Sequence, residues 1–107
     1  MSNKVKTSDE GRGLVSLQEN LKKIKPMLGR KFKVKRLGIF GSYVRGQARR
    51  SSDVDILVEF SGGIDLLDFV AMERYLREQT GAKIDLVSIN ALRPEFRSRI
   101  LNEVIYI

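Results

Sequence analysis

Three aspartates and a Gly-Ser pair are the residues of this chain whose types and spacing could do chemistry. Asp53 and Asp55 are separated by one residue at the start of an apolar run, and Asp85 stands alone among aliphatic residues further along. Residues i and i+2 of a strand project to the same face, so the first two carboxylates should point the same way. If the two runs form neighbouring strands, the three carboxylates meet and repel one another unless a cation lies between them.

Divalent cations with oxygen ligands are the expected way to offset that repulsion. Mg²⁺ and Mn²⁺ accept carboxylate oxygens and keep open positions for water and phosphate. Two such ions about 4 Å apart can hold the attacking and leaving oxygens of an in-line displacement at phosphorus. The sequence contains no Cys and no His, which excludes disulfides, thiol nucleophiles, Cys/His zinc sites and Ser-His triads. We therefore expect Asp53, Asp55 and Asp85 to ligate the metal.

The Gly-Ser pair supplies the candidate phosphate site. Gly41 lets the backbone approach a ligand closely, and Ser42 adds a hydroxyl at the start of a predicted helical turn, where free amides favour a phosphate. Arg45, one turn further on, can face the same anion. A lone Gly-Ser is usually only a turn, and a lone Asp-x-Asp is usually a surface pair. Together, with ten residues between Ser42 and Asp53, they favour a metal–phosphate site.

Three predicted strands carry these residues, at 34–40, 54–60 and 83–88. A first helix is predicted from the Ser-x-x-Glu capping box that begins at Ser16, and its apolar stripe ends near residues 26–29. A short helical turn is expected at 43–46. A second long helix should be capped by Asp65 and end at Gly81. A last helix should begin at Pro94, with an apolar stripe that consists of Phe96, Ile100 and Val104.

The length of 107 residues suits one domain. Residues 1–13 are polar and show no periodicity, so we expect a flexible tail there and a single domain over 14–107. The alternation of helices and strands predicts the α/β or α+β class, with helices packed on a small mixed sheet. No apolar run is long enough to span a bilayer, and none follows the Lys-rich start as in a signal peptide, so a cytoplasmic location is expected.

The net charge of +7 is unevenly spread along the chain. Residues 1–50 hold 14 Lys/Arg and 3 Asp/Glu (14 − 3 = +11), whereas residues 51–107 hold 6 and 10 (6 − 10 = −4). Residues 22–36, named here the basic stretch, contain eight basic side chains and no acidic one. Such a stretch is either a solvated surface or a contact for an anionic partner, and charge alone does not separate the two.

In these residues the sequence resembles the minimal nucleotidyltransferases, the smallest branch of the polymerase-beta-like nucleotidyltransferase superfamily. The resemblance covers about residues 34–104. Its motifs are Gly41-Ser42, Arg45-Gly46, the run from Ser52 to Val58, Ile84-Asp85-Leu86-Val87, and Leu92-Arg93-Pro94-Glu95.

The resemblance implies a role for each position. Asp53 and Asp55 would ligate two Mg²⁺ or Mn²⁺ ions, and Asp85 would ligate the catalytic ion and help to deprotonate the attacking hydroxyl. Gly41 and Ser42, with Arg45 nearby, would hold the β- and γ-phosphates of ATP. Family members are thought to be antitoxins of HEPN-domain toxins, which they adenylylate on a tyrosine. A HEPN-domain protein is therefore the expected partner.

Two other functions remain open from the sequence. The basic stretch could bind RNA, which would then be the acceptor, although Phe32 is its only aromatic residue for stacking bases. The protein could also neutralise a partner by binding alone. Intact Ser42, Asp53, Asp55 and Asp85 argue against a site that has lost its chemistry.

Overall fold

A four-stranded mixed sheet forms the centre of the structure, a computed structural model that describes residues 13–49 and 51–107. The strand order is β3-β2-β1-β4. Strand β1 is antiparallel to both β2 and β4, and β2 is parallel to β3. The strands are β1 (Val34–Phe40), β2 (Val54–Phe60), β3 (Ile84–Ser88) and β4 (Ile105–Tyr106).

Three helices cover the two faces of this sheet: α1 (Gly13–Phe32), α2 (Leu66–Thr80) and α3 (Pro94–Glu103). Helices α1 and α2 share one core with the alternate strand residues that include Ile39 and Ile56. Helix α3 lies over a second, smaller core in which its Ile100 packs with Phe40 and Leu57. The predicted class, helices packed on a small mixed sheet, is confirmed.

Helix α1 differs from its prediction at both ends. It already includes Gly13, so Ser16 lies inside the helix and the predicted capping box is wrong. The helix also continues through Pro26 to Phe32. A proline inside a helix costs about 3 kcal/mol. Burial of Leu28 and Phe32, at 0% and 4% exposure, offsets this cost because each such side chain contributes roughly 1.5–3 kcal/mol.

Most of the other predicted elements are confirmed within a residue. Strands β1 and β2 have the predicted bounds, and β3 begins one residue later than predicted, at Ile84. The Asp65 carboxylate caps α2 by accepting a hydrogen bond of 2.8 Å from the Asp68 N–H. Gly81 ends α2 with a φ of 69°, which is the left-handed conformation that favours glycine. Pro94 is the first residue of α3.

Two predictions near the site need correction, and one strand there was not predicted. The short turn is a 3₁₀ helix over Gly41–Tyr43, two residues earlier than expected. Helix α3 ends at Glu103, so Val104 follows the helix, and Phe96 is 42% exposed and lies outside the core. The chain then forms strand β4, which the sequence did not predict because two residues show no periodicity.

Strand β4 fixes the end of the chain beside β1. Tyr106 lies opposite Gly38, and Ile105 lies opposite Ile39. A Cβ atom on Gly38 would lie 2.6 Å from the Val104 side chain, so glycine is required for this close approach. The residues predicted as a tail, apart from Gly13, lie outside the described part. Among the described residues, no helix is long and apolar enough to cross a membrane.

Candidate active site

Strands β2 and β3 place two of the three aspartates side by side. Asp55 is the direct partner of Asp85 in the parallel register of these strands. Asp53 lies two residues before Asp55 and therefore projects to the same face. The expectation that the two apolar runs form neighbouring strands is confirmed. Asp53 and Asp85 are exposed, whereas Asp55 is half-buried.

The face of β2 that carries the carboxylates is polar at the beginning of the strand and apolar further along. Asp53 and Asp55 occupy its beginning, and Leu57, the next residue on the same face, is only 1% exposed beneath α3. The core on the opposite face contains Val54 and Ile56. The acidic end of β2 is therefore held rigidly, since both faces of the strand are anchored in packed side chains.

The electrostatics of Asp55 reflect this crowding. Burial is the largest cause that raises the pKa of Asp55, to about 6, followed by the negative charges of Asp85 and Asp53. The positive charge of Arg45 lowers this pKa, and a hydrogen bond with Asp85 raises it. At physiological pH, a cation beside such a carboxylate stabilises its ionised form.

The carboxylates suit a divalent cation by their chemistry, since all three offer the oxygen donors that Mg²⁺ and Mn²⁺ prefer. They are close enough to raise the pKa of Asp55. Within residues 13–49 and 51–107, however, no three acidic side chains already surround one common point. The paired backbone of β2 and β3 is fixed, whereas side chains as exposed as Asp53 and Asp85 can rotate towards a cation.

The Gly-Ser turn lies directly against Asp55. Phe40, the last residue of β1, is the antiparallel partner of Asp55, so the turn begins beside the carboxylate. Gly41 has a φ of 82°, and a Cβ atom there would overlap the Asp55 carboxylate. Both features require glycine. Ser42 follows in the half-buried centre of the turn, so the structure brings together Gly41, Ser42 and the aspartates.

Arg45 has a partner that the sequence analysis missed. Its Nη1 atom donates to Glu103 Oε1 at 3.1 Å and to Oε2 at 3.2 Å. The Gly41 N–H donates to Glu103 Oε2 at 2.7 Å. Glu103 is the last residue of α3, where the helix dipole disfavours a carboxylate. That unfavourable position is the one sequence signal that could have indicated a positive partner.

A groove of about 960 Å³ lies on the face of the sheet that α1 and α2 cover. It lies between the start of α1, the segment that follows the Gly-Ser turn, and the connection from α2 to β3. Tyr43 and Leu14 contribute apolar surface to its lining, and Asn20 contributes polar atoms. Ser52, which also lines the groove, immediately precedes Asp53. None of the three aspartates lines the groove, and its apolar lining belongs to the face of the sheet that α1 and α2 cover.

Part of the basic stretch is engaged inside the molecule. Arg36 Nε donates to Glu59 Oε1 at 2.7 Å, and its guanidinium lies 4.9 Å from the centre of the Tyr106 ring. Lys25 Nζ donates to the Ile107 carbonyl at 2.6 Å. The remaining basic side chains of the stretch are exposed. One of them, Lys35, has its Nζ atom 4.0 Å from Glu59 Oε2.

Comparison with known proteins gives the family of the chain. The family model of the nucleotidyltransferase domain matches residues 21–107. The chain belongs to this nucleotidyltransferase family. It is a nucleotidyltransferase, and its sheet and helices have the polymerase-beta-like fold that the resemblance implied.

The chain is similar to named protein adenylyltransferases and to solved nucleotidyltransferase structures. The protein adenylyltransferase MntA of Thermococcus cleftensis is 43% identical over 83 residues, which are 78% of this chain and 84% of MntA. A solved structure of a candidate minimal nucleotidyltransferase has a TM-score of 0.75 at 35% identity and covers 86% of this chain and 93% of the other.

A more distant likeness involves a complex of a tri-AMPylated HEPN toxin with an MNT antitoxin from Shewanella oneidensis. The matched chain has a TM-score of 0.63 at 21% identity and covers 84% of this chain and 70% of that one. At this identity the likeness concerns the fold alone.

Proposed function

We propose that this nucleotidyltransferase moves AMP from ATP onto a tyrosine hydroxyl of a HEPN-domain toxin and acts as its antitoxin. The observation that carries the proposal is the pairing of Asp55 with Asp85 directly beside the Gly41-Ser42 turn. This arrangement places acidic metal ligands next to a phosphate-binding turn. The named activity of the Thermococcus cleftensis relative and the AMPylated toxin of the Shewanella complex support AMP as the group and a protein as the acceptor.

Asp53 and Asp55 would hold two Mg²⁺ or Mn²⁺ ions, and Asp85 would complete the site of one of them. Bound ions of this kind supply positive charge that stabilises the phosphoryl oxygens during transfer. Ser42 and the Gly-Ser turn hold the β- and γ-phosphates, and Arg45 adds positive charge nearby.

The chemical step is an in-line displacement at the α-phosphorus of ATP. The tyrosine oxygen forms a bond to that phosphorus while the bond to the oxygen that bridges the α- and β-phosphates breaks. Asp85 accepts the proton of the tyrosine hydroxyl, and pyrophosphate leaves with the electron pair of the broken bond. The products are an AMP–tyrosine phosphodiester and pyrophosphate.

The test is incubation with labelled ATP, Mg²⁺ and a HEPN-domain protein, followed by measurement of the intact mass of that protein. We expect the mass to increase by whole AMP units, with the modified residue identified as a tyrosine by fragmentation. Label that enters an RNA added in parallel, while the protein stays unmodified, would contradict the proposal.

An RNA acceptor is the second candidate function, and it has less support. It rests on the exposed lysines of the basic stretch. Two other members of that stretch, Lys25 and Arg36, already have partners within the protein. The stretch also offers a single aromatic residue, Phe32, which is buried and therefore cannot stack on a base.

A further inference from the structure

Glu103 contacts both halves of the proposed phosphate site. Its carboxylate accepts one hydrogen bond from the Gly41 N–H at 2.7 Å and a forked pair from Arg45 at 3.1 and 3.2 Å. The Glu103 side chain is 18% exposed, compared with 43% for Arg45. It therefore lies beneath the guanidinium and against the backbone of the turn.

Two independent anchors fix the position of Glu103. On one side, Ile100 of the same helix packs in the core with Phe40, the residue that precedes Gly41. On the other side, Ile105 pairs with Ile39 of β1. Glu103 lies between these two contacts along the chain, and both reach the end of β1 from which the Gly-Ser turn begins.

These contacts allow two opposite roles. Gly41 and Arg45 are donors that an anionic phosphate could use, so Glu103 could be a substitute anion that the triphosphate must displace. Alternatively, Glu103 could hold the turn and the guanidinium in place. Displacement would leave a largely buried carboxylate at the negative end of a helix with neither of its donors, which is unfavourable on both counts.

We infer that Glu103 is a positioning residue, which holds the Gly41-Ser42 turn and the Arg45 guanidinium in the geometry that binds ATP. The inference rests on the nucleotide transfer proposed above. In this arrangement the Gly41 N–H donates to Glu103 and not to the ligand. Ser42 and the rest of the turn then make the contacts to the phosphates. Glu103 itself touches neither substrate nor metal.

The test is the affinity for a non-hydrolysable ATP analogue in the presence of Mg²⁺, measured without any partner protein. Glu103→Gln keeps the shape of the side chain but removes its charge. We expect roughly 10-fold weaker binding, because loss of a residue that orients a ligand site typically costs about 10–100-fold. The matched control is Glu78→Gln, an exposed acid near the end of α2 and outside the site, which should bind as the parent does.

Unchanged or tighter binding by Glu103→Gln would overturn the inference, and tighter binding would identify Glu103 as a displaced anion. The ligand-free melting temperature separates positioning from general loss of structure, since we expect it to fall little while affinity falls clearly. A parent protein that binds no analogue at all would instead contradict the proposed function.

Arg45→Gln provides a second variant that leaves the Glu103–Gly41 hydrogen bond in place. We expect it to weaken binding to a similar extent, and the double variant should lose much less than the product of the two single losses, because the two residues act as one unit. In transfer assays, both single variants should raise KM for ATP more than they lower kcat. Fully multiplicative losses would contradict action of Glu103 through Arg45.

Discussion

Asp55 and Asp85 face each other across the parallel pair of β2 and β3, directly beside the Gly-Ser turn. The strand register brings two carboxylates from distant parts of the sequence to one place. Burial, followed by the negative charges of Asp85 and Asp53, raises the pKa of Asp55 to about 6. Repulsion between these like charges lowers the free energy of unfolding of the ligand-free protein. A cation that binds there restores that stability.

Asp55 should make the ligand-free protein less stable at neutral than at mildly acidic pH. Its pKa is about 6 in the folded state, above the ordinary value of 3.8, so the folded state takes up a proton first. The contribution of Asp55 to the free energy of unfolding should therefore fall by on the order of 1–2 kcal/mol as the pH rises from about 4 to above 6, after allowance for solvent screening.

The matching variant is Asp55→Asn, which cannot ionise. It should be more stable than the parent at pH 7 without ligand, and this difference should shrink towards pH 4. Chemical denaturation at several pH values measures both effects. A variant that is less stable than the parent at pH 7 would show that the Asp55 charge is not destabilising.

Binding of metal and nucleotide should depend on Asp53 and Asp55. Mg²⁺ or Mn²⁺ with a non-hydrolysable ATP analogue should raise the melting temperature of the parent, because a ligand that binds only the folded state stabilises it. Asp53→Asn and Asp55→Asn should abolish that increase. Glu78→Gln, an exposed acid on α2, is the control and should keep it. An increase that persists in both aspartate variants would remove these residues from the site.

Gly41→Ala should damage the turn and the site together. The added Cβ atom overlaps the Asp55 carboxylate, and the φ of 82° is unfavourable for alanine. We expect a loss of stability of about 1–3 kcal/mol and a loss of binding to the ATP analogue. Gly63→Ala is the control, because nothing lies within 4 Å of a Cβ atom there. Equal behaviour of the two variants would contradict the close contact at Gly41.

The exposed lysines of the basic stretch should not form an RNA site. Replacement of Lys22, Lys23, Lys31 and Lys33 by Gln should leave RNA binding weak, as we expect it to be in the parent at physiological ionic strength. Binding measured at several salt concentrations tests this, because phosphate contacts give a steep salt dependence. Tight binding that is lost with added salt and with these substitutions would favour the RNA-acceptor function.

Local signals in the sequence were sufficient to predict most of the elements. Strand alternation placed Asp53 and Asp55 on one face, and the helix signals at Asp65, Gly81 and Pro94 were correct. Each of these depends on residues within a few positions of one another, where backbone preferences dominate.

The features that the sequence did not predict depend on contacts between distant residues. Helix α1 passes through Pro26 because Phe32 is buried further on, and it ends before Lys33, whose φ of 60° is not expected for lysine. Strand β4 exists because Gly38 leaves room beside β1. Glu103 reaches Gly41 only because β4 and α3 place it there, across 62 residues of sequence.

The central claim, that this protein works by transfer of AMP to a protein partner, is tested most directly by the variant Asp85→Asn. Asp53 and Asp55 should still hold metal and nucleotide in this variant, so binding of the ATP analogue and of the partner should persist. Transfer should fall by about 10²–10⁴-fold, because a metal ligand and a proton acceptor are lost together.

The decisive measurement is the intact mass of a HEPN-domain partner co-expressed with the parent or with Asp85→Asn, together with the growth of the cells. We predict that the parent adds AMP and relieves toxicity, whereas the variant binds the partner, adds no mass and leaves the cells poisoned. Full relief of toxicity by a variant that binds the partner but transfers no AMP would contradict the account, because binding alone would then be sufficient.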